Sequence, residues 1–373
     1  MRIVINALSA RLGGGQTYLK NLLVNLPVEP NLEIIIFAPH SLALPKDQRI
    51  RRATTVWPQN NPLLRTLWEQ LVLPRILASE HADVLFCPGG VVATRVPAGC
   101  RVVTMFRNMI PFDSKSLARM PFGLQKVRNF LLRRVMLRSM EKADLTIFIS
   151  DFARKVIEGL VKVRNPITIP HGISDIFRAH GKVHSRPAWL PRGEYLLYVS
   201  RFDVYKHQLE VVRAYISLPE NLRNHYKLLL VGEANNASAR RTADLISHSG
   251  LQDQILILGP IAYTDLPAAY RHAAVNLFAS SCENCPNILL EAMGAGRPVL
   301  CSNVMPMPEF GSDSVAYFDP TDPQNLCDEL AQVLKSEQLQ NTLGLSAARR
   351  SADFEWVTSS DRTWQAIAAL VSK

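Results

Sequence analysis

The chain has 373 residues, 47% of them hydrophobic and 20% charged, which suggests about two domains at the usual ~150 residues each and excludes bulk disorder. Its formal charge of +10 is uneven: roughly 25 basic residues stand against 12 acidic ones as far as Ala179, and roughly 17 against 20 beyond it. The excess therefore belongs to the first half, where nucleic acid, an acidic substrate or an anionic membrane surface would each account for it.

Met1 leads straight into the strand pattern Arg2 to Asn6 (RIVIN) with no signal-peptide pattern, and no apolar run approaches the ~18 residues of a membrane span. The six cysteines are scattered and mostly embedded in apolar runs, as reduced thiols of a cytoplasmic protein would be. Cys282 and Cys285 form a C-x-x-C without the second pair or nearby histidines that a zinc site would want.

After the first strand comes a glycine-rich turn, Gly13-Gly14-Gly15, and then a helix pattern starting near Thr17 with Tyr18, Leu19, Leu22, Leu23 and Leu26 at helical spacing. Such a turn lets backbone amides approach a phosphate or sugar, and it equally suits a plain tight turn. It does not fit the dinucleotide fingerprint G-x-G-x-x-G, because Tyr18 stands where the third glycine would be. Strand patterns follow at 33–38, 83–88 and 101–106, with a helix pattern over 63–77 interrupted by Pro74. The carboxyl end of the strand closing at Phe106 delivers Arg107 and Asn108. Alternating strands and helices make this a doubly wound α/β domain.

The stretch from Leu117 to Met140 reads as one long helix or two short ones, with Arg119, Lys126, Arg128, Arg133, Arg134 and Arg138 interleaved with Phe122, Phe130, Leu131 and Val135. A basic amphipathic helix of this kind suits an anionic bilayer, and a core-packing helix with a solvated basic face suits the pattern as well. No signal of a nucleic-acid module is present. Strands close the half at 144–150 and 165–170. Residues 179–193, rich in Pro, Gly and basic side chains, read as a linker.

A second α/β series starts at Glu194. Arg201 and Lys206 flank a strand-to-helix loop, and an arginine fork with a lysine point charge suits a diphosphate. Strands at 227–231 and 254–258 lead to loops, the second carrying Gly259, Pro260 and Ile261. The stretch 280–301 then reads SSCENCPNILLEAMGAGRPVLC, a strand–loop–helix–strand unit with Glu283 in the loop and Glu291 in the helix. A parallel sheet collects ligands at the carboxyl ends of its strands, so a loop acid there meets phosphates and hydroxyls; an ordinary salt bridge is the competing account.

Glu283 to Glu291, the Arg201…Lys206 loop, Gly13-Gly14-Gly15 and the two-domain length together resemble the nucleotide-sugar-dependent retaining glycosyltransferases of family 4. The strongest piece is the acid pair, which matches that family's E-x7-E pattern and the A-M-x-x-G-x-P-V after it. The resemblance implies the α/β fold called GT-B: two Rossmann-like doubly wound domains facing each other across a cleft. Residues 1–180 would be the acceptor-side domain and 190–354 the donor-binding one, with a C-terminal helix, 355–373, packing back on the first.

The resemblance further implies that Glu291 binds the ribose hydroxyls and that Glu283 sits near the donor sugar. Arg201 and Lys206 would neutralise the diphosphate leaving group in place of a metal, with no D-x-D triplet in the chain. Gly259, Pro260 and Ile261 would border the base, Gly14 and Gly15 the phosphate or acceptor. The chain departs from the family at two places. Asn284-Cys285-Pro286-Asn287 replaces Gly-Phe-Gly after the first acid, so Asn284 or Asn287 side chains would contact the donor where backbone amides do elsewhere. Arg107 and Asn108 replace a histidine on the acceptor side.

The implied activity is hexosyl transfer, with retention and without a metal, to a glycan or lipid-linked acceptor in cell-surface polysaccharide or lipopolysaccharide synthesis. The protein would be cytoplasmic or peripheral on the inner face of the membrane through Leu117 to Met140, without nucleic acid as partner and with no cofactor besides the nucleotide sugar. Alternatives are a catalytically silent sugar-nucleotide-binding partner in a glycan-assembly complex, and a sugar-nucleotide epimerase on the same fold.

Overall fold

The computed structural model describes residues 1–11, 13–29, 31–55, 61–119, 123–179 and 185–372. It divides into two compact units, Met1–Gly172 with Trp356–Lys373, and Ile173–Glu355. Each is built on one all-parallel sheet.

Unit 1 contains β1 (Arg2–Asn6), β2 (Glu33–Phe37), β3 (Ile50–Ala53), β4 (Val84–Cys87), β5 (Arg101–Phe106), β6 (Leu145–Phe148) and β7 (Pro166–Thr168), in the order β3-β2-β1-β4-β5-β6-β7. The central strands are buried on both faces, which explains runs such as Val84–Cys87 that are apolar throughout rather than alternating. Register pairs Ile3 with Ile34 on one side of β1 and with Val84 on the other.

The helix after β1 starts at Gly14, three residues before the predicted start, because Gly13 at its N-cap adopts φ 63° and turns the chain early. It buries Tyr18, Leu19, Leu22 and Leu23. Helix Trp356–Val371 lies against it: Trp364 is buried, and its Nε1 donates to the carbonyls of Leu22 at 3.1 Å and Asn25 at 3.0 Å.

The helix predicted over 63–77 is two helices, Pro62–Leu71 and Leu73–Ser79. Asn61 caps the first through its side chain, and Pro74 occupies the first turn of the second, where its missing N–H costs nothing. The 117–140 stretch is also two helices, Ser114–Arg119 and Leu124–Lys142. Met120 to Phe122 lie outside the described residues, as does Leu12 of the glycine-rich turn.

Unit 2 contains β8 (Glu194–Val199), β9 (Tyr226–Val231), β10 (Ile255–Gly259), β11 (Val275–Phe278), β12 (Val299–Ser302) and β13 (Ala316–Phe318), in the order β10-β9-β8-β11-β12-β13. The order reverses between β8 and β11, which pair directly through Leu196 with Val275 and Leu197 with Asn276. In open parallel sheets, ligands bind beyond the strand carboxyl ends at that reversal. One core collects Tyr195, Tyr198, Leu229, Phe278, Leu289, Leu300 and Leu330 from both faces of the sheet.

Within the predicted linker, residues 180–184 lie outside the described set. Its remaining part, from Ser185 onward, is tied down: Leu190 is buried, and the Arg186 guanidinium donates to the carbonyls of Pro191 and Gly193, both at 2.6 Å. The short strands β3 and β13 and helices such as Pro323–Lys335 and Glu337–Ser351 have no counterpart among the sequence expectations.

Candidate functional site

The loops after β8 and β11 emerge side by side at the reversal of unit 2 and are sewn together. The Ser281 backbone N–H donates to the Tyr205 carbonyl at 2.8 Å, and His207 Nε2 bonds Ser281 Oγ at 2.8 Å. Lys206 Nζ makes a short ion pair with Glu283 Oε1. These two residues lie 77 positions apart in the chain; the fold brings them into contact.

Lys206 is held from every side. Asp203 caps the one-turn 3-10 helix Val204–Lys206, and the buried Tyr198 hydroxyl donates to the Lys206 carbonyl at 2.6 Å. His207 follows in the left-handed region at φ 53°, which turns the chain into helix Gln208–Ser217. The ammonium lies 5.3 Å from the Tyr205 ring centroid and 5.4 Å from that of Phe278, a desolvated cation between two π faces. Arg201 is the more exposed cation of the loop: its guanidinium donates to Tyr205 Oη at 3.1 Å and lies 3.6 Å from Asp203.

The loop after β9 supports this arrangement from below. Gly232 adopts φ 146°, and a Cβ there would stand 2.2 Å from the Ser200 carbonyl oxygen, so only glycine lets the two backbones pass. The Asn236 side-chain amide then donates to the Phe202 carbonyl at 2.6 Å.

Glu291 lies on helix Asn287–Gly294, where Pro286 stands at the N-cap rather than inside the first turn. Its Oε1 accepts from the Tyr263 hydroxyl at 3.1 Å. Tyr263 belongs to the loop after β10 that also carries Pro260 and Ile261, while Gly259 ends the strand at φ 68°, so this contact joins the predicted base-side loop to the second acid. Burial pushes the Glu291 carboxyl up to about 8, against the opposing pull of the Tyr263 hydrogen bond. Asn284 is buried, and Asn287 carries a buried Oδ1 with no hydrogen-bond partner among the described residues.

In unit 1, the structure brings together Gly15 and Arg107: a Cβ on Gly15 would lie 3.5 Å from Arg107 Nη1. Arg107 sits 5.4 Å over the Tyr18 ring, Tyr18 stacks on His171 at 5.4 Å, and His171 meets Trp356 at 5.3 Å. Gly14 is exposed at the start of its helix. Asn108 Oδ1 accepts from the Ile110 backbone N–H at 3.2 Å.

Unit 1 also holds a group that the sequence motifs do not reveal. Buried Glu69 accepts from Asn6 Nδ2 at 2.9 Å, with Arg65 Nε at 3.9 Å, and burial raises its carboxyl above the usual range. A lone acid amid the apolar positions of Pro62–Leu71 is the one signal of it in the chain. Tyr205 and Tyr263 also carry no motif, although both stand in loops at strand carboxyl ends.

The basic stretch is partly inward-facing and partly exposed. On Leu124–Lys142, the exposed apolar Leu124, Phe130, Leu131 and Val135 share the solvent side with Arg128, Arg134 and Arg138, while Asn129, Met136, Ser139 and Met140 face inward. Apolar and basic residues are thus mixed on one face rather than segregated to opposite ones, because small and polar side chains carry part of the inward contact. No helix among the described residues is long and apolar enough to cross a membrane.

A family model described as "Glycosyltransferase Family 4" matches residues 12–175, and one described as "Glycosyl transferases group 1" matches residues 183–350. The chain belongs to glycosyltransferase family 4. It is 25% identical over 266 residues to O-antigen chain mannosyltransferase B of Escherichia coli, covering 69% of each protein. Among solved structures, sucrose-phosphate synthase from Thermosynechococcus elongatus superposes with a TM-score of 0.77 at 18% identity, over 100% of this chain and 99% of that one. Anabaena HepE in complex with UDP-glucose gives 0.73 at 16% identity, over 99% and 100%. The fold is GT-B.

Proposed function

We propose that this glycosyltransferase moves a hexosyl unit, with retention, from a nucleoside diphosphate sugar to a glycan or lipid-linked acceptor in O-antigen or related lipopolysaccharide synthesis. The name of the E. coli relative favours mannose as the sugar. The observation that carries the reading is the Lys206–Glu283 contact at the strand-order reversal, with Arg201 beside it.

In this reading Lys206 and Arg201 take the diphosphate, and the Glu291 carboxylate, aided by Tyr263, takes the ribose hydroxyls. Asn284 and Asn287 contact the donor, and Gly259, Pro260 and Ile261 border the base. As the sugar C1–oxygen bond breaks, negative charge grows on the leaving diphosphate and the two cations stabilise it; Glu283 stabilises the positive charge growing on the sugar ring. The acceptor oxygen bonds C1 on the face the diphosphate leaves, and the acceptor proton passes to the departing phosphate. No metal is required. Gly14, Gly15, Arg107 and Asn108 serve the acceptor side, and Leu124–Lys142 rests on the anionic inner face of the membrane. These cytoplasmic-face contacts weaken with salt.

The test is product analysis with purified protein, a panel of nucleotide sugars and a lipid-linked acceptor, with and without EDTA. Extension of the acceptor with a sugar of the donor's own anomeric configuration, unaffected by EDTA, is expected. Release of an epimerised nucleotide sugar, or no turnover with any donor that binds, would overturn the reading.

A further inference from the structure

The β4–β5 crossover of unit 1 carries no helix. Its chain runs over the sheet between Pro62–Leu71 and Leu124–Lys142 and leaves a cavity of about 870 Å³, within the ~300–1,000 Å³ range of small-molecule sites. Leu71, Val92 and Val96 give it apolar walls, and Arg95 and Lys142 give it positive charge; no carboxylate lines it among the described residues. The cavity is pre-formed, because the Val92 backbone N–H donates to Ser139 Oγ at 2.9 Å and the same hydroxyl donates to the Val135 carbonyl at 2.7 Å.

Two exposed apolar stripes lead to it. Leu63, Leu67 and Leu71 recur every fourth residue on one helix, exposed by 76%, 44% and 53%, and the last of them is a cavity wall. On the other helix Leu131 and Val135, also exposed, continue at the same spacing to Ser139, which lines the cavity. Both helices border the same cavity, through Leu71 on one and Ser139 on the other, which makes them neighbours. Arg128, Arg134 and Arg138 add positive charge along the approach.

We propose that this cavity binds the aliphatic chain of an anionic membrane lipid, with Arg95 and Lys142 at its head group and the two apolar stripes as its entrance. Apolar walls select the chain, and the charges without a facing carboxylate select an anion over a neutral head group. The site is lined by residues of unit 1 alone and does not depend on the transferase reading. It does rest on the membrane-surface reading of Leu124–Lys142.

Calorimetry with octyl, decyl and dodecyl phosphate below micelle formation tests the site directly. Affinity should rise by about fourfold per added methylene that is buried. A neutral alkyl glucoside of equal chain length should bind several-fold more weakly, and inorganic phosphate alone should not bind. Ala93→Trp, which fills the cavity, should abolish the chain-length dependence while thermal melting stays cooperative. Leu71→Asp, at a half-exposed position, should do the same and serves if the tryptophan variant fails to fold.

Equal binding of the neutral amphiphile, or unchanged chain-length dependence in the variants, would overturn the proposal. Phosphatidylglycerol vesicles separate the two readings. If the parent protein ignores vesicles yet binds alkyl phosphates with chain dependence, the membrane-surface reading and the lipid source both fail. If the parent binds vesicles and Ala93→Trp binds them equally well, only the cavity assignment fails.

Discussion

Lys206 and Glu283 form an ion pair that closes the crevice end of two neighbouring strands, with the lysine side chain 7% exposed and the acid 18%. The free protein therefore holds its most buried loop cation already neutralised by the first acid of the E-x7-E pair. A diphosphate that uses Lys206 must compete with that acid for it.

Glu283→Gln should separate binding from turnover. Removing one partner of a buried pair strands the other charge, at a cost of about 3–5 kcal/mol. The unliganded variant should melt lower than the parent, and a nucleoside diphosphate should stabilise it by a larger shift than it gives the parent, because the phosphate supplies the missing negative charge. Transfer should fall by about a hundredfold or more. Thermal shift and turnover measured together check this; a variant with normal turnover would remove Glu283 from the site.

The pH dependence rests on Glu291, whose carboxyl burial pushes up to about 8. A folded value above the unfolded one means that the native state holds an extra proton between the ordinary carboxylate range and about pH 8. Stability is lost as pH rises through that window. Glu291→Gln removes the effect, so at pH 9 the variant should be as stable as the parent or more so. Donor affinity should move oppositely if the carboxylate is the binding form: the parent's should rise with pH and level off near 8, and the variant's should be weak and flat. Calorimetric titration across pH 6–9 decides this.

Gly232→Ala should be severe for a reason that involves no ligand. Its Cβ would meet the Ser200 carbonyl oxygen at 2.2 Å and the Arg201 backbone nitrogen at 2.8 Å. Neither backbone can give without displacing the Arg201 loop, so a loss of about 2 kcal/mol or more is expected in urea unfolding, with donor binding falling as well. Gly15→Ala provides the contrast: its nearest contacts are 3.4 and 3.5 Å. That variant should melt within a few degrees of the parent, so a change in transfer with unchanged donor affinity would reflect crowding beside Arg107.

Trp364→Ala should loosen helix Trp356–Val371 from unit 1. It removes a buried ring and two hydrogen bonds to the end of helix Gly14–Val24, at about 3–5 kcal/mol. Faster proteolysis of the C-terminal helix should accompany the lower melting point, whereas the loops of unit 2 should exchange amide hydrogens as in the parent.

Local chemistry in the chain itself determined the alternation of strands and helices, because strands buried on both faces read as apolar runs and helices repeat their apolar residues at helical spacing. Arg2–Asn6, Glu33–Phe37 and Arg101–Phe106 were legible for that reason. So was the E-x7-E signature, whose spacing sits on one loop and one helix turn. The strands Ile50–Ala53 and Ala316–Phe318 were not legible, since edge strands of three or four residues with little burial lack the apolar run.

Only the tertiary structure decided which distant residues meet. Strand order is set by how seven and six strands share two cores, and no local pattern encodes it. It is that order which brings Lys206 to Glu283, Tyr263 to Glu291 and Arg107 to Gly15. Burial likewise belongs to the folded state: nothing in the chain shows that the Glu69 and Glu291 carboxyls are shielded from water until surrounding side chains exclude it. The residue types were written in the chain; their charge states and partners came from packing.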